Sequence, residues 1–214
     1  MAKKRPVSNL MALGILSTVV VRDLHPYEMA GALRGWGKDQ DLPIKWGSLY
    51  TVVRNLAKHG LLEEVSSERA GRRPERTVYR ITAAGRAELV DWTRELLSAV
   101  EHETPRFRAG LSVMSVLTPD EVTALLQQRL AEVTSAISAA SSQLATYAAE
   151  VPRLFLIEIE YDIAMLHAEA AWMRSLIGEL DGGTLSGIEQ WRHFHETGRL
   201  PADMVELAEK SFET

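Results

Sequence analysis

The chain has 214 residues, 46% of them hydrophobic and 25% charged, which is enough apolar material for one or two packed domains. It contains no cysteine, which excludes disulfide bonds and thiolate metal sites and is typical of proteins in a reducing cytoplasm. No apolar run approaches the roughly 20 residues of a membrane span, and the basic start MAKKRPV lacks the apolar core of a signal peptide. We therefore expect a cytoplasmic protein with no membrane partner, and we interpret the two lysines of this start as a short disordered arm within reach of phosphate.

The net charge of −5 conceals an uneven distribution along the chain. Residues 1–100 hold 16 Lys and Arg against 11 Asp and Glu, a balance of +5, whereas residues 101–214 hold 8 against 18, a balance of −10. A basic half joined to an acidic half predicts that one end binds nucleic acid while the other end stays away from the duplex.

Three helices are predicted in the first sixty residues. The first covers Ser8 to Val21 and the second Tyr27 to Trp36, each with apolar residues at helical spacing. The third begins near Ser48, whose side chain can cap a backbone N–H or meet a phosphate, and stops at Gly60. Its apolar residues, Leu49, Val52, Val53 and Leu56, fall within roughly 100° of one another. The opposite face is polar, which is also true of an ordinary solvated helix, so the context must decide its role.

The context is a short hairpin after the third helix. Leu61 to Val65 and Thr77 to Thr82 are predicted as strands, and the loop between them, Ser66 to Arg76, is rich in Gly, Pro and Arg. Helix, strand, basic loop, strand and helix is the order of a winged helix-turn-helix. In that fold the third helix enters the major groove, and the loop tip, here Arg72 and Arg73, reaches the DNA backbone or the minor groove.

The second half is predicted to be a helical hairpin. Thr118 is a strong N-cap followed by Pro119, and Pro152 separates two long heptad seams that together form an antiparallel pair. Shorter helices are expected at residues 187–197 and 202–212. One hairpin buries such seams on one side only, so the seams predict a dimer interface formed by Leu126, Leu130, Val133, Ile137, Leu156, Ile159, Ile163, Leu166, Met173 and Ile177.

Residues that could support catalysis or metal binding have simpler interpretations. His193 and His195 are two positions apart and point to different faces of a helix, unlike the i, i+4 pair of a zinc site. Glu158 and Asp162 fit the solvated face of the second long helix. We expect neither an enzyme nor a metal or other cofactor.

Six motifs resemble one known family. They are ALGIL (residues 12–16), HPYEMAGAL (25–33), GSLY (47–50), LAKHGLLEE, GRRPERTVYRIT and AAGRAEL (83–89), in the order and spacing of the PadR family of transcriptional regulators. The resemblance covers about residues 7–100 and departs at Thr51, where many members have proline. It implies a dimeric DNA-binding repressor, often released by a small, commonly aromatic ligand.

The sequence therefore predicts a mainly α-helical protein with a winged helix-turn-helix domain, residues 1–100, and a helical dimerisation domain, residues 101–214. The expected partners are a double-stranded operator, a second copy of the chain and a small effector. Trp92 is either a core or interface residue or an effector contact. A different hypothesis is a protein–protein adaptor, which would tolerate loss of the basic residues. The residues predicted to contact DNA are Tyr27, Lys45, Ser48, Tyr50, Thr51, Arg54, Asn55, Lys58, Arg72, Arg73 and Arg76.

Overall fold

The computed structural model of the chain describes residues 5–38, 42, 44–68, 76–100, 105–199 and 205. The chain divides into two compact units, residues 1–102 and 103–214. Helices predominate and the only sheet in the described residues has two antiparallel strands, so the predicted winged helix with a helical second unit is confirmed. Of the helices in the described part of the chain, none combines the length and the apolar character needed to cross a membrane.

The first unit is built around its first helix. Six of the nine residues of this helix are buried, and it packs against the next two helices and the last one. Met11, Ile15 and Leu16 are fully buried at its centre. In chain order the elements of this unit are α1 (Leu10–Thr18), α2 (Pro26–Gly35), a 3₁₀ turn (Trp46–Ser48), α3 (Leu49–Lys58), β1 (Leu62–Glu68), β2 (Arg76–Ile81) and α4 (Ala83–Ser98).

Local capping chemistry sets the ends of these helices. Asn9 caps α1 by accepting the backbone N–H of Met11 at 2.8 Å, so this helix begins two residues later than predicted. His25 caps α2 in a capping box with Glu28, and Pro26 fills the first helical position, where its missing N–H has no cost. Gly60 has φ +70, the left-handed conformation expected after α3.

The first strand ends three residues later than predicted, whereas the second has the predicted length but begins and ends one residue earlier. Pairing runs from Leu62–Ile81 to Glu68–Arg76, with a bulge between Glu64 and Ser66. Cross-strand backbone hydrogen bonds therefore extend into a segment whose polar and charged composition had favoured a loop. Residues 69–75, including Arg72 and Arg73, lie outside the described residues.

Arg5, the last cation of the basic start, is bound to α4. The Arg5 guanidinium is hydrogen-bonded to Glu88 and Glu95 of α4 and stacks over the Trp92 ring, 5.0 Å from its centroid. Its side chain is 3% exposed. The carboxylates of α4 therefore bind this cation within the protein, whereas the two lysines predicted to form an arm lie outside the described residues.

Asp23 and Arg80 join the segment before α2 to β2. Arg80 Nη2 donates to Asp23 Oδ2 at 2.7 Å, and these hydrogen bonds hold the pKa of the Asp23 carboxyl below its ordinary value. A lowered folded-state pKa stabilises the fold above the unfolded pKa, and the stabilisation is lost as the pH falls through the folded pKa.

Asp23→Asn should therefore lower the urea midpoint at neutral pH, and its difference from the wild-type midpoint should disappear in strong acid. Glu63→Gln is the matched control, because Glu63 lies 4.0 Å from the same guanidinium and should shift the midpoint less. A difference that is independent of pH would contradict the assignment.

The second unit is a long helical hairpin, with one short helix before it and another after it along the chain. Thr118 Oγ1 accepts the backbone N–H of Glu121 at 3.3 Å, which confirms the predicted start of the first long helix. The predicted helix at 202–212 falls almost entirely outside the described residues. The elements of this unit are α5 (Arg106–Ser112), a 3₁₀ turn (Met114–Val116), α6 (Pro119–Ala148), a 3₁₀ turn (Arg153–Phe155), α7 (Ile157–Asp181) and α8 (Ile188–Thr197).

The heptad seams pack inside the hairpin. Seven of the ten residues predicted at a dimer interface belong to the core of this unit: Leu126, Leu130, Val133, Ile137, Leu166, Met173 and Ile177. Leu156 is buried outside that cluster, and Ile159 and Ile163 are partly buried. The two helices that carry the seams are joined by a short turn, and the seams pack against each other within one chain.

Candidate nucleic-acid interface

Helix α3 presents two chemically distinct faces. Leu49, Val52, Val53 and Leu56 are buried in the core of the first unit. Every residue of the predicted polar face is exposed, which leaves these side chains available to another molecule. Those residues are Tyr50, Thr51, Arg54, Asn55 and Lys58.

The 3₁₀ turn before α3 orients the start of this helix. The Ser48 hydroxyl donates to the Lys45 carbonyl at 2.8 Å and does not cap α3, so the predicted capping role of Ser48 is corrected. Its hydroxyl instead closes the turn that leads into the helix. Lys45 is exposed immediately before this turn.

The start of α2 lies beside the start of α3. The rings of His25 and Tyr50 meet edge to face, with centroids 6.3 Å apart and planes at 70°. Tyr27, in the first turn of α2, is 74% exposed, and Tyr50 is 52% exposed. Two tyrosines therefore project from the starts of α2 and α3. In a helix-turn-helix, this end of the helices faces DNA.

A cation–π contact braces the connection between these two helices. The Arg34 guanidinium near the end of α2 stacks over the Trp46 ring in the 3₁₀ turn, 4.0 Å from its centroid. Neither residue was predicted to belong to the site, because a contact between positions twelve apart leaves no periodic signal in the sequence. Arg34 and Trp46 therefore join the end of α2 to the turn that precedes α3.

Arg54 lies close to the base of the wing. The Tyr79 hydroxyl of β2 donates to Glu64 Oε1 of β1 at 3.3 Å. Burial and the Glu64 carboxylate raise the pKa of Tyr79, and the positive charge of Arg54 acts in the opposite direction. Arg54 is therefore near enough to β2 for its charge to act on Tyr79.

The exposed cations of this face suit an anionic ligand. Among the described residues, no acidic side chain forms a salt bridge with Lys45, Arg54 or Lys58. Cations of this kind bind phosphate oxygens, and an arginine near a helix start also reads guanine in the major groove. Of the wing residues predicted to contact DNA, Arg76 begins β2, whereas Arg72 and Arg73 fall in the segment that the structure does not describe.

Trp92 belongs to the core of the first unit. It is 5% exposed, packs in the same cluster as α1 and α3, and is covered by Arg5. Of the two interpretations raised by the sequence, this burial favours the core residue over a ring that stacks on a ligand.

The fold and the exposed face of α3 together define a winged helix-turn-helix DNA-binding domain. Residues 15–91 match the model of the Transcriptional regulator PadR-like family. This stretch of the chain is therefore similar to the PadR-like family of transcriptional regulators, which confirms the resemblance seen in the motifs. No curated protein sequence matches the chain.

Solved structures share the fold over most of the chain. Bacillus subtilis PadR in complex with operator DNA has a TM-score of 0.67 at 17% identity, covering 80% of this chain and 99% of that one. The same protein in complex with p-coumaric acid has a TM-score of 0.69 at 16% identity, covering 81% and 99%. The virulence activator AphA of Vibrio cholerae has a TM-score of 0.60 at 20% identity, also covering 81% and 99%. At these identities the likeness concerns the fold.

Proposed function

We propose that this chain is a cytoplasmic, homodimeric repressor that binds a two-fold symmetric promoter operator through α3, the start of α2 and the wing. The observation that carries the proposal is the exposed polar face of α3, where Tyr50, Thr51, Arg54 and Lys58 project from a PadR-like domain. The operator complex of Bacillus subtilis PadR, a relative in fold, supports the same kind of partner. The basic balance of residues 1–100 supports it as well.

The proposal is tested by selecting duplexes from a randomised DNA pool with the full-length protein. We expect enrichment of an inverted repeat whose half-sites are about one helical turn, ~34 Å, apart. Gel shifts on the enriched duplex should show affinity that falls steeply with salt, because bound cations release counterions from the phosphates. A pool without enrichment and a shallow salt dependence would favour the adaptor hypothesis.

Arg54→Ala should weaken binding to the selected operator by about 1–3 kcal/mol and relax the preference at one base pair, if Arg54 reads a guanine. Arg174→Ala is the control, because Arg174 is an exposed arginine of the second unit. Gel shifts on the operator and on single-base variants measure both effects. Equal weakening on every sequence would instead make Arg54 a phosphate contact, and an unchanged affinity would remove it from the interface.

The proposed homodimer needs a surface other than the internal seam. Helix α7 carries an apolar stripe on its outer side, in which Ile157, Tyr161, Met165 and Trp172 are each about half exposed or more. At 100° per residue these four positions fall within about 80° of one another, and the stripe is about 22 Å long. An apolar stripe of this length on a water-soluble unit indicates an interaction site.

A second copy of the chain fits this stripe better than an unrelated partner. Between Ile157 and Ser175 no charged residue falls on this face, and the neighbouring Ala164, Ala168 and Ala171 permit close helix approach. Residues 101–214 carry a balance of −10, so two copies repel each other elsewhere and meet most favourably along an uncharged stripe. Symmetric self-association is also the commonest form of assembly.

Release by a small aromatic effector completes the proposal. The p-coumaric acid complex of Bacillus subtilis PadR supports an aromatic acid as the first compound to test. Titration of p-coumaric acid into the operator complex should release the DNA. Because Trp92 is buried beneath Arg5, we do not place the effector on its ring.

A further inference from the structure

His25 occupies a junction between the wing, α2 and α3. The preceding residue, Leu24, exchanges two backbone hydrogen bonds of 3.0 Å with Tyr79 of β2. His25 donates its own backbone N–H to Glu28 Oε2 at 2.9 Å, and its ring atom Nδ1 accepts the N–H of Tyr27 at 3.1 Å. These contacts fix both the backbone and the ring of His25.

The fixed imidazole contacts the tyrosine that begins the exposed face of α3. Tyr50 meets the His25 ring edge to face, so one side of its own ring is in contact while 52% of the residue stays exposed. Such a neighbour restricts the rotamers of a surface tyrosine. A side chain ordered before binding loses less conformational entropy at an interface.

We propose that His25 is a positioning residue for operator recognition, because it holds the Tyr50 ring in the orientation in which the tyrosine meets DNA. The inference rests on the proposed DNA-binding function and adds a residue that was not predicted to belong to the interface. It separates two roles of one histidine: the Nδ1 atom caps α2, and the ring orders Tyr50.

Two substitutions separate these roles. His25→Asn keeps a good N-cap acceptor and removes the ring, so the unfolding midpoint should stay close to wild type while operator affinity falls roughly 3- to 10-fold. His25→Phe keeps a ring and removes the cap acceptor, so the midpoint should fall while affinity stays within about twofold. Urea unfolding and gel shifts on the selected operator measure both quantities.

A double-mutant cycle with Tyr50→Ala tests whether the effect passes through Tyr50. The affinity lost with His25→Asn should be absent when Tyr50 is already alanine. The same loss in both backgrounds would show that His25 acts on DNA without Tyr50 and would overturn the inference. An unchanged affinity of His25→Asn would overturn it as well.

The experiment also separates failure of this inference from failure of the proposed function. If the wild-type protein selects an operator and its affinity depends on Arg54, but the effects in the His25–Tyr50 cycle are additive, only the positioning role of His25 is contradicted. If the wild-type protein selects no DNA sequence, both the positioning role and the proposed function are contradicted.

Discussion

The variant Tyr161→Glu/Met165→Glu should sediment as a monomer and bind the selected operator about 10²- to 10⁴-fold more weakly than the wild-type protein, because the two DNA-binding units then bind independently. Both side chains lie in the exposed stripe of α7, at 63% and 51% exposure, so the substitution disturbs little of the core of the hairpin. The glutamates would place like charges opposite each other in an interface between two acidic units. Sedimentation velocity and gel shifts measure the two effects.

His167→Glu/Arg174→Glu is the matched control for this variant. Both residues are exposed on α7 but lie outside the stripe, so the control protein should remain dimeric although its charge changes at least as much. Far-UV circular dichroism should show the same helicity in all three proteins. The proposed surface would be wrong if Tyr161→Glu/Met165→Glu remained a dimer, or if the wild-type protein were a monomer that binds its operator tightly.

Arg5→Ala should lower the free energy of unfolding by about 3 kcal/mol, as expected when one partner of a buried ion pair is removed. The guanidinium hydrogen-bonds Glu88 and Glu95, lies 3.7 Å from Asp91 and covers the Trp92 ring. Burial alone would lower the pKa of Arg5, but the hydrogen bonds and charges of the two glutamates raise it. Removing the cation leaves neighbouring carboxylates without it and exposes the indole. Urea unfolding measures the change.

Two further variants distinguish this cluster from a general effect of arginine on the surface. Arg94→Ala removes an exposed arginine from the same helix and should change stability by no more than about 0.5 kcal/mol. Arg5→Lys should fall between wild type and Arg5→Ala, because a single ammonium cannot bind two carboxylates as the guanidinium fork does. An Arg5→Ala protein as stable as the Arg94→Ala protein would show that the cluster contributes nothing to the fold.

The recognition helix could be predicted from the sequence because its signals are local. The spacing of Leu49, Val52, Val53 and Leu56 defines the buried face, and Gly60 defines the end of α3. The structure places all four side chains in the core and the predicted polar residues on the surface. Capping at Thr118 is local in the same way, and it too is confirmed.

Contacts between distant positions could not be predicted in this way. The role of Arg5 could not be predicted because its carboxylate partners lie more than eighty positions further along the chain. The contact between His25 and Tyr50 joins two helices whose sequences give no sign of each other. Such pairs form only when the whole unit folds, and they produce no periodic pattern in the sequence.

By itself, the sequence determined the class of fold, the faces of α3, the two seams of the hairpin and the asymmetry of charge, since each follows from residue spacing or composition. Only the tertiary structure decided which partner each surface meets. An apolar seam packs equally well against its own chain or another copy, and the short turn at residues 149–156 raises the effective concentration in favour of its own chain. The intramolecular contact therefore uses the seam, and Tyr161 and Met165 of α7 remain on the exposed stripe proposed for the second copy.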